Sequence, residues 1–281
     1  MAPMSRCAFV LVGVWCLVRS VGAAEPSAAE QRFAVGQTLL AEGDVDGATA
    51  AFVEAARGAP DRADFVERAT LLRRVQSLRR VAADERGGAA ADRAIEALHV
   101  FYLQHDLPRL AVEGDRVAFA RSPSAETAGR LAQALLATGE NAEVTTVVAA
   151  YTRASIGLAT YHVIALARMG YQDEASALLG RTADAPVPTP TDHYDRARAL
   201  ALLGRTDEAL ARLVACFEGT TPAALPALRA RAPKERDFAS LAALPAFARV
   251  LQTASKVTES CSGGTSCSGC PNRGACGGAK K

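Results

Sequence analysis

Apolar residues recur every three or four positions along most of this chain, which is the spacing of one face of a helix. Ser27 and Glu30 are spaced as a capping box and predict the start of a first helix, which ends at Gly43. A second helix is predicted over residues 46–57, and Pro60 closes the pair. The hydrophobic pattern therefore opens with two helices joined by a tight turn.

Further predicted helices follow, separated by glycine and proline. The pattern predicts helices over 61–83 and 89–104, and another that begins at Pro108. The proline-rich stretch 184–190, DAPVPTP, is typical of an extended connector. Beyond Phe217 the prolines come closer together and delimit short helices, at Pro222, Pro226, Pro233 and Pro245.

One turn recurs along the chain. A glycine follows a predicted helix at Gly43, Gly139, Gly170 and Gly204, and the last three are 31 and 34 residues apart. Five positions after each glycine stands a small or β-branched residue: Ala48, Val144, Ala175 and Ala209. The strings ALLATGENAE, ALARMGYQDEA and ALALLGRTDEA make the similarity plain. Four turns in one phase indicate an array of repeated helix pairs.

The stretch 29–62 resembles a tetratricopeptide (TPR) repeat, a helix pair of about 34 residues. It has the small Gly36 in the first helix, the turn glycine, Ala48, Phe52, Ala55 and the closing Pro60, although its first aromatic, Phe33, is one residue out of register. The segment 236–251, RDFASLAALPAFARVL, is similar to the end-of-group segment that closes some bacterial TPR arrays. The resemblance implies an all-α fold, a right-handed α-solenoid over 25–252 whose last apolar face this segment covers.

The same resemblance implies a protein or peptide partner on the concave face, which the first helices of the pairs form. Carried onto this chain, the candidate groove residues are Phe33, Gln37, Leu40, Gln133, Leu136, Thr160, Ile164, Arg168, Tyr194, Arg198 and Leu202.

Composition narrows the classes of function. Hydrophobic residues make up 49% and aromatics only 5%, which favours closely packed helices over a sheet sandwich. The net charge of +2 argues against a dedicated nucleic-acid-binding protein. The sequence has no HExxH, GxSxG, GxxxxGK or GxGxxG motif, and each of its four histidines is interpreted as a packing or groove residue. We therefore expect no enzyme, and no cofactor for the helical domain.

The first 24 residues have the layout of a secretory signal peptide. Arg6 precedes the short apolar run 7–18, and small residues stand at the −3 and −1 positions of a cut after Ala24. The run is shorter than the roughly 20 apolar residues that span a bilayer. We expect an exported mature chain, periplasmic or extracellular, without a stable membrane span.

The tail, residues 253–281, is rich in Gly, Ser and Cys and has few apolar residues. Cys261, Cys267, Cys270 and Cys276 are spaced C-x5-C-x2-C-x5-C. Three chemistries fit these residues: two disulfides, a four-cysteine zinc site, or a [4Fe–4S] cluster. The string CSGCPNRGAC is also similar to the cluster motif of Mrp/Nbp-type ATPases of iron–sulfur assembly, which implies the third. The tail is expected to be disordered or cross-linked.

Two functions therefore follow from the sequence. The first is an exported, non-catalytic TPR-like scaffold that mediates protein–protein interaction. The alternative is a metal-binding or thiol-redox protein that acts through the four tail cysteines. The sequence names no partner for either function.

Overall fold

The computed structural model describes residues 26–84, 88–153, 155–183 and 185–258. All regular secondary structure in these residues is helical, so the all-α prediction is confirmed for them. The expected signal peptide and the four tail cysteines lie outside the described residues. Predicted and observed helix ends agree within two residues where both are available, which is the ordinary uncertainty of a helix end. The helices are α1 (Ala28–Ala41), α2 (Val45–Gly58), α3 (Ala63–Ala82), α4 (Gly88–Gln104), α5 (Pro108–Arg121), α6 (Ala125–Thr138), α7 (Asn141–Val148), α8 (Ile156–Arg168), α9 (Gln172–Arg181), α10 (Pro190–Leu202), α11 (Thr206–Gly219), α12 (Leu225–Arg231), α13 (Ala239–Ala242) and α14 (Pro245–Val250).

The chain divides into two compact units between Leu72 and Arg73, inside α3. None of the helices in the described part of the chain is long and apolar enough to cross a bilayer.

The first unit holds a helical hairpin, α1 and α2, and the beginning of α3. The predicted capping box is present: Oγ of Ser27 accepts from the N–H of Glu30, whose carboxylate accepts from the N–H of Ser27. The ring of Phe33 stacks on Phe65 at 4.3 Å and meets the edge of Phe52 at 5.0 Å. Gly36 lies against Phe52, and a Cβ at this glycine would come within 2.9 Å of the ring. Aromatic packing over a small residue therefore holds this unit together.

The structure has the recurring turn at all four predicted glycines, with nearly the same backbone conformation at each. Gly43, Gly139, Gly170 and Gly204 have φ of 88°, 87°, 89° and 71°, the left-handed region that glycine adopts without strain. The next residue always donates its N–H to a leucine carbonyl five positions back, the closing bond of a Schellman turn. These bonds are Asp44 to Leu39, Glu140 to Leu135, Tyr171 to Leu166 and Arg205 to Leu200, at 2.9–3.0 Å.

The second unit repeats the helical hairpin four times. The pairs are α4–α5, α6–α7, α8–α9 and α10–α11, and the two helices of each pair contact each other. The first helices of the pairs, which we call the A helices (α4, α6, α8 and α10), also contact one another in succession. Fully buried alanines at the contacts let the helices approach closely, among them Ala128, Ala132, Ala159, Ala165, Ala175, Ala197 and Ala209. This packing accounts for a large core with few aromatics.

Short helices finish the second unit. The 3-10 turns Ala232–Lys234 and Arg236–Phe238 lead into α13 and α14, which pack on α10 and α11 respectively. Phe238, Leu241 and Phe247 are buried, whereas Leu244 and Leu251, which the sequence also assigned to the covering face, are half-buried. Residues 253–257 then run to the end of α11, where Oγ of Ser255 donates to the Thr220 carbonyl at 2.6 Å. The described chain therefore ends fixed to α11.

Candidate functional site

A pair of buried arginines binds a carboxylate in the second unit. Arg168 lies in the last turn of α8 and Arg198 in α10, and their side chains are only 7% and 8% exposed. Between them lies Asp237, from the 3-10 turn Arg236–Phe238, with 1% of its side chain exposed. Its carboxylate accepts from Nε and Nη2 of Arg168, both at 2.8 Å, and from Nε of Arg198 at 2.9 Å. Bidentate arginine contacts of this kind are strong and directional.

Other groups on the A helices hold the arginines in place. Nη1 of Arg168 donates to the Leu136 carbonyl of α6 at 2.7 Å. Nη1 of Arg198 donates to the Asp195 carboxylate at 2.8 Å, one turn earlier in α10. The Tyr161 hydroxyl of α8 lies near the Asp195 carboxylate and helps to lower the pKa of that carboxyl, against the larger effect of burial. Three successive A helices therefore build the site, and we call Arg168, Arg198 and their supports Leu136, Asp195 and Tyr161 the arginine site.

Burial opposes every charge in this site. Desolvation raises the pKa of Asp195 although Arg198 lies beside it, and it raises the pKa of Tyr161. Desolvation likewise lowers the pKa of Arg168, and its bonds to Asp237 only partly offset that effect. For Arg198 the attraction of the surrounding carboxylates exceeds the effect of burial, so its pKa is raised. Removing one partner and putting nothing in its place would therefore leave a buried charge, which is destabilising.

An aromatic surface adjoins the carboxylate. The ring of Phe238 meets that of Tyr194, from α10, edge to face at 5.3 Å, and it also packs on Phe247. The guanidinium of Arg231 lies 5.3 Å from the centre of the Tyr194 ring. The Tyr194 hydroxyl is buried and has no hydrogen-bond partner in the structure. The arginine site therefore borders a buried aromatic cluster around Phe238, in which the Tyr194 hydroxyl is left without a hydrogen bond.

A second polar cluster joins α4, α5 and α6. Nδ1 of His99 is 2.6 Å from the Asp115 carboxylate, and Nε2 is 3.1 Å from Oε1 of Gln133. Oδ1 of Asp115 and Nε of Arg130 are buried 3.7 Å apart without a hydrogen bond. His99 is thus a buried residue with a polar partner at each ring nitrogen, in keeping with its interpretation as a packing residue.

The structure places the predicted groove residues in different settings. Leu136, Arg168, Tyr194 and Arg198 converge on or beside the arginine site. Thr160 and Ile164 are enclosed between helices, Ile164 completely, so their side chains do not face an open surface here. Leu202 is half-buried at the end of α10, and Gln133 is half-buried against His99. In the first unit Phe33 packs on aromatic rings, Leu40 is buried, and Gln37 is exposed.

Sequence reasoning missed two members of the arginine site, Asp195 and Tyr161, and also the carboxylate bound there, that of Asp237. Asp237 was recognised only as part of the closing segment, because nothing in the sequence links it to arginines 39 and 69 residues earlier. Asp195 carries a local signal, since an Asp and an Arg three apart face the same side of a helix. Tyr161 carries no local signal in the sequence that links it to Asp195.

Within the described ranges no group of three or more His, Cys, Asp or Glu side chains is arranged to hold a metal ion. Cys261, Cys267, Cys270 and Cys276 lie beyond these ranges. Cys216 of α11 is fully buried as a free thiol, and burial raises its pKa to about 11.

Comparisons of the chain with protein-family models, curated proteins and solved structures find no match.

Proposed function

We propose that this protein is an exported, non-enzymatic scaffold that binds protein partners through a right-handed solenoid of TPR-like helix pairs. The observation that carries the proposal is the recurring turn. Four glycines of one conformation, each followed by the same leucine-directed hydrogen bond, join four helix pairs by one kind of turn, and three of these pairs contact in succession in the second unit. Repeated units of one geometry that contact in succession build extended surfaces, which solenoid proteins use for binding.

The use of the polar groups supports a scaffold rather than a catalyst. In one buried cluster arginines bind a carboxylate, and in the other an imidazole binds a carboxylate, in both cases between different helical elements. Such contacts fix the relative position of A helices, which is what a binding surface needs.

Site-directed photo-crosslinking in the native host tests the proposal. A photoreactive amino acid replaces Gln37 or Leu202, which are candidate groove positions with accessible side chains. In matched controls it replaces Thr146 or Ala211, exposed positions on the second helices α7 and α11. We expect the groove positions to capture a common protein and the controls not to capture it. Equal capture from all four positions, or from none, would contradict a partner groove.

The tail supports a second candidate function in metal or thiol chemistry. The observation that favours it is the division of the cysteines. Cleavage of the signal peptide would remove Cys7 and Cys16. Cys216 is buried, and burial raises the pKa of its thiol, which keeps it protonated and unreactive. The tail cysteines would then react among themselves, as two disulfides formed by the oxidant of the exporting compartment or, if reduced, as a zinc or [4Fe–4S] site.

Thiol counting combined with metal analysis separates these chemistries. Native exported protein is alkylated without reductant, and its mass and metal content are measured. Disulfides predict no label on the four tail cysteines and no metal. Labelled tail thiols, one zinc per chain, or the visible absorbance of an iron–sulfur cluster would each contradict disulfides. Chelation by four tail thiolates would support the metal-binding alternative.

A further inference from the structure

We propose that the arginine site is a docking site for an acidic–aromatic segment of a partner protein, and that Asp237-Phe238 is an internal segment that occupies it until a partner displaces it. This inference rests on the proposed scaffold function and names the chemistry of the partner. The class of ligand is a segment in which Asp or Glu immediately precedes an aromatic residue.

Two supports of the arginine site do not involve its occupant. The Leu136 carbonyl fixes Arg168, and Asp195 fixes Arg198, at 2.7 and 2.8 Å. Both contacts come from the A helices and leave one edge of each guanidinium directed at the same point. A preorganised donor set of this kind binds a carboxylate without first paying the entropy of ordering its side chains.

The occupant, Asp237-Phe238, belongs to short elements that are separate from the A helices. Asp237 lies in a three-residue 3-10 turn, preceded by another 3-10 turn and followed by the four-residue α13. Such elements have few internal hydrogen bonds, and side-chain contacts of Asp237 and Phe238 hold them in place, so a segment that makes the same contacts can compete with them. On either side, α14 contacts α11, and Arg229 of α12 donates to the Thr253 carbonyl. The segment can therefore leave the site while the chain around it stays attached.

The internal occupant leaves one buried polar group beside it, the Tyr194 hydroxyl, without a hydrogen bond. Tyr194, which packs against Phe238, is only 3% exposed, so water does not reach its hydroxyl freely, and the hydroxyl has no hydrogen-bond partner. A second, looser contact is that of Glu235, whose carboxylate is 3.7 Å from Nε of Arg198. An unsatisfied buried hydroxyl destabilises the closed form. A partner segment that brings a polar atom to Tyr194 would bind with that penalty removed.

A peptide-binding experiment on the full chain tests the inference. The receptor carries Asp237→Ala and Phe238→Ala, which empties the site and leaves both arginines. The probe is a fluorescent peptide of residues 232–247, APKERDFASLAALPAF, and binding is measured by anisotropy. In the control peptide, Asn and Ala replace the counterparts of Asp237 and Phe238. We expect the emptied chain to bind the probe at least tenfold more tightly than wild type does, and Arg168→Gln added to it to abolish that gain.

Two results would overturn the inference. One is an emptied chain that melts cooperatively yet binds probe and control peptide equally. The other applies if the emptied chain does not fold, and it is measured on the wild-type protein. If excess probe accelerates the hydrogen exchange of amides 236–244 no more than the control peptide does, the inference is overturned. Either result would make Asp237-Phe238 a permanent part of the fold. The crosslinks from Gln37 and Leu202 do not depend on this exchange, so the scaffold proposal fails or stands separately.

Discussion

Asp115 of α5 has a completely buried carboxylate, which lies 3.7 Å from Nε of Arg130 without a hydrogen bond and has its close partner in the His99 ring, at 2.6 Å. Replacing His99 by Leu would leave this carboxylate enclosed without that partner. Removing the hydrogen-bond partner of a buried polar group typically costs about 1–3 kcal/mol, so we expect a loss of unfolding free energy of at least that size. Urea unfolding followed by circular dichroism measures it.

Arg116 on the same helix provides the control. It binds Glu140 and Glu143 at 2.8 and 2.6 Å, but its side chain is 45% exposed. Exposed ion pairs contribute about 0–1 kcal/mol, so Arg116→Ala should change stability little. Similar losses for the two variants would contradict the importance of burial for the His99 pair.

His162 and His193 predict a pH dependence of stability. Desolvation is the first cause that lowers the pKa of each, with Arg181 adding to it for His162 and Arg212 for His193. A lowered folded-state pKa means that the unfolded chain binds protons more readily once the pH falls below the ordinary value of about 6.5. Stability is therefore complete above that pH and decreases as the pH falls towards the folded-state values. The slope is at most about 1.4 kcal/mol per pH unit for each histidine.

The double variant His162→Gln, His193→Gln should flatten this slope. Denaturant unfolding of both proteins at several pH values between about 5 and 7.5 gives the difference. Asp195, whose raised pKa acts with the opposite sign, is present in both proteins and cancels in that difference. Parallel pH profiles for the two proteins would refute the assignment.

At the scale of elements, the α1–α2 hairpin depends on the absence of a side chain at Gly36. An added Cβ would come within 2.9 Å of the Phe52 ring, a residue with no exposed surface. Gly36→Ala should therefore destabilise by about 1–3 kcal/mol, the usual cost of overpacking. Gly180→Ala in α9 is the matched control, because nothing lies within 4 Å of its added Cβ. That substitution should leave the midpoint of thermal unfolding unchanged or raise it, since Ala favours a helix.

The turn after α10 requires backbone conformation rather than space. Gly204 has φ of 71°, and an added Cβ would meet nothing within 4 Å. Gly204→Ala should cost about 1–2 kcal/mol through left-handed strain alone, whereas Gly204→Asn should cost less because Asn tolerates this region. Thermal melts of the two variants compare them. Equal losses would indicate that something other than backbone conformation fixes the turn.

The elements were more predictable than the site, for a physical reason. The capping box at Ser27 and the turn at Gly204 depend on residues within five positions, so local chemistry determines them. Close approach at Gly36 could also be inferred, because a repeat needs a small residue there. Asp237, in contrast, binds Arg168 across 69 residues, and only the packing of α8 against α10 determines that pairing. For the same reason spacing alone did not distinguish the enclosed Ile164 from an open groove residue.

For the molecule as a whole, the proposed export makes a direct prediction about its covalent state. The mature chain should begin at or near Glu25, because small residues precede this position after a short apolar run. Intact-mass measurement of protein recovered from outside the cytoplasm checks it. A mass that includes residues 1–24 would contradict cleavage.

The bond between Arg168 and Asp237 also bears on the order of synthesis. A ribosome that has just added Arg168 must add 69 more residues before its carboxylate partner exists, which takes roughly 3 to 14 seconds at common elongation rates. The hairpin of α8 and α9 forms from neighbours in the sequence and can be complete within that interval. Its inner face cannot, because the Arg168 guanidinium there still lacks the anion that accompanies its burial. The nascent chain therefore carries exposed positive charge on α8 until the last part of the protein is made, and Asp237 is the residue that ends this state.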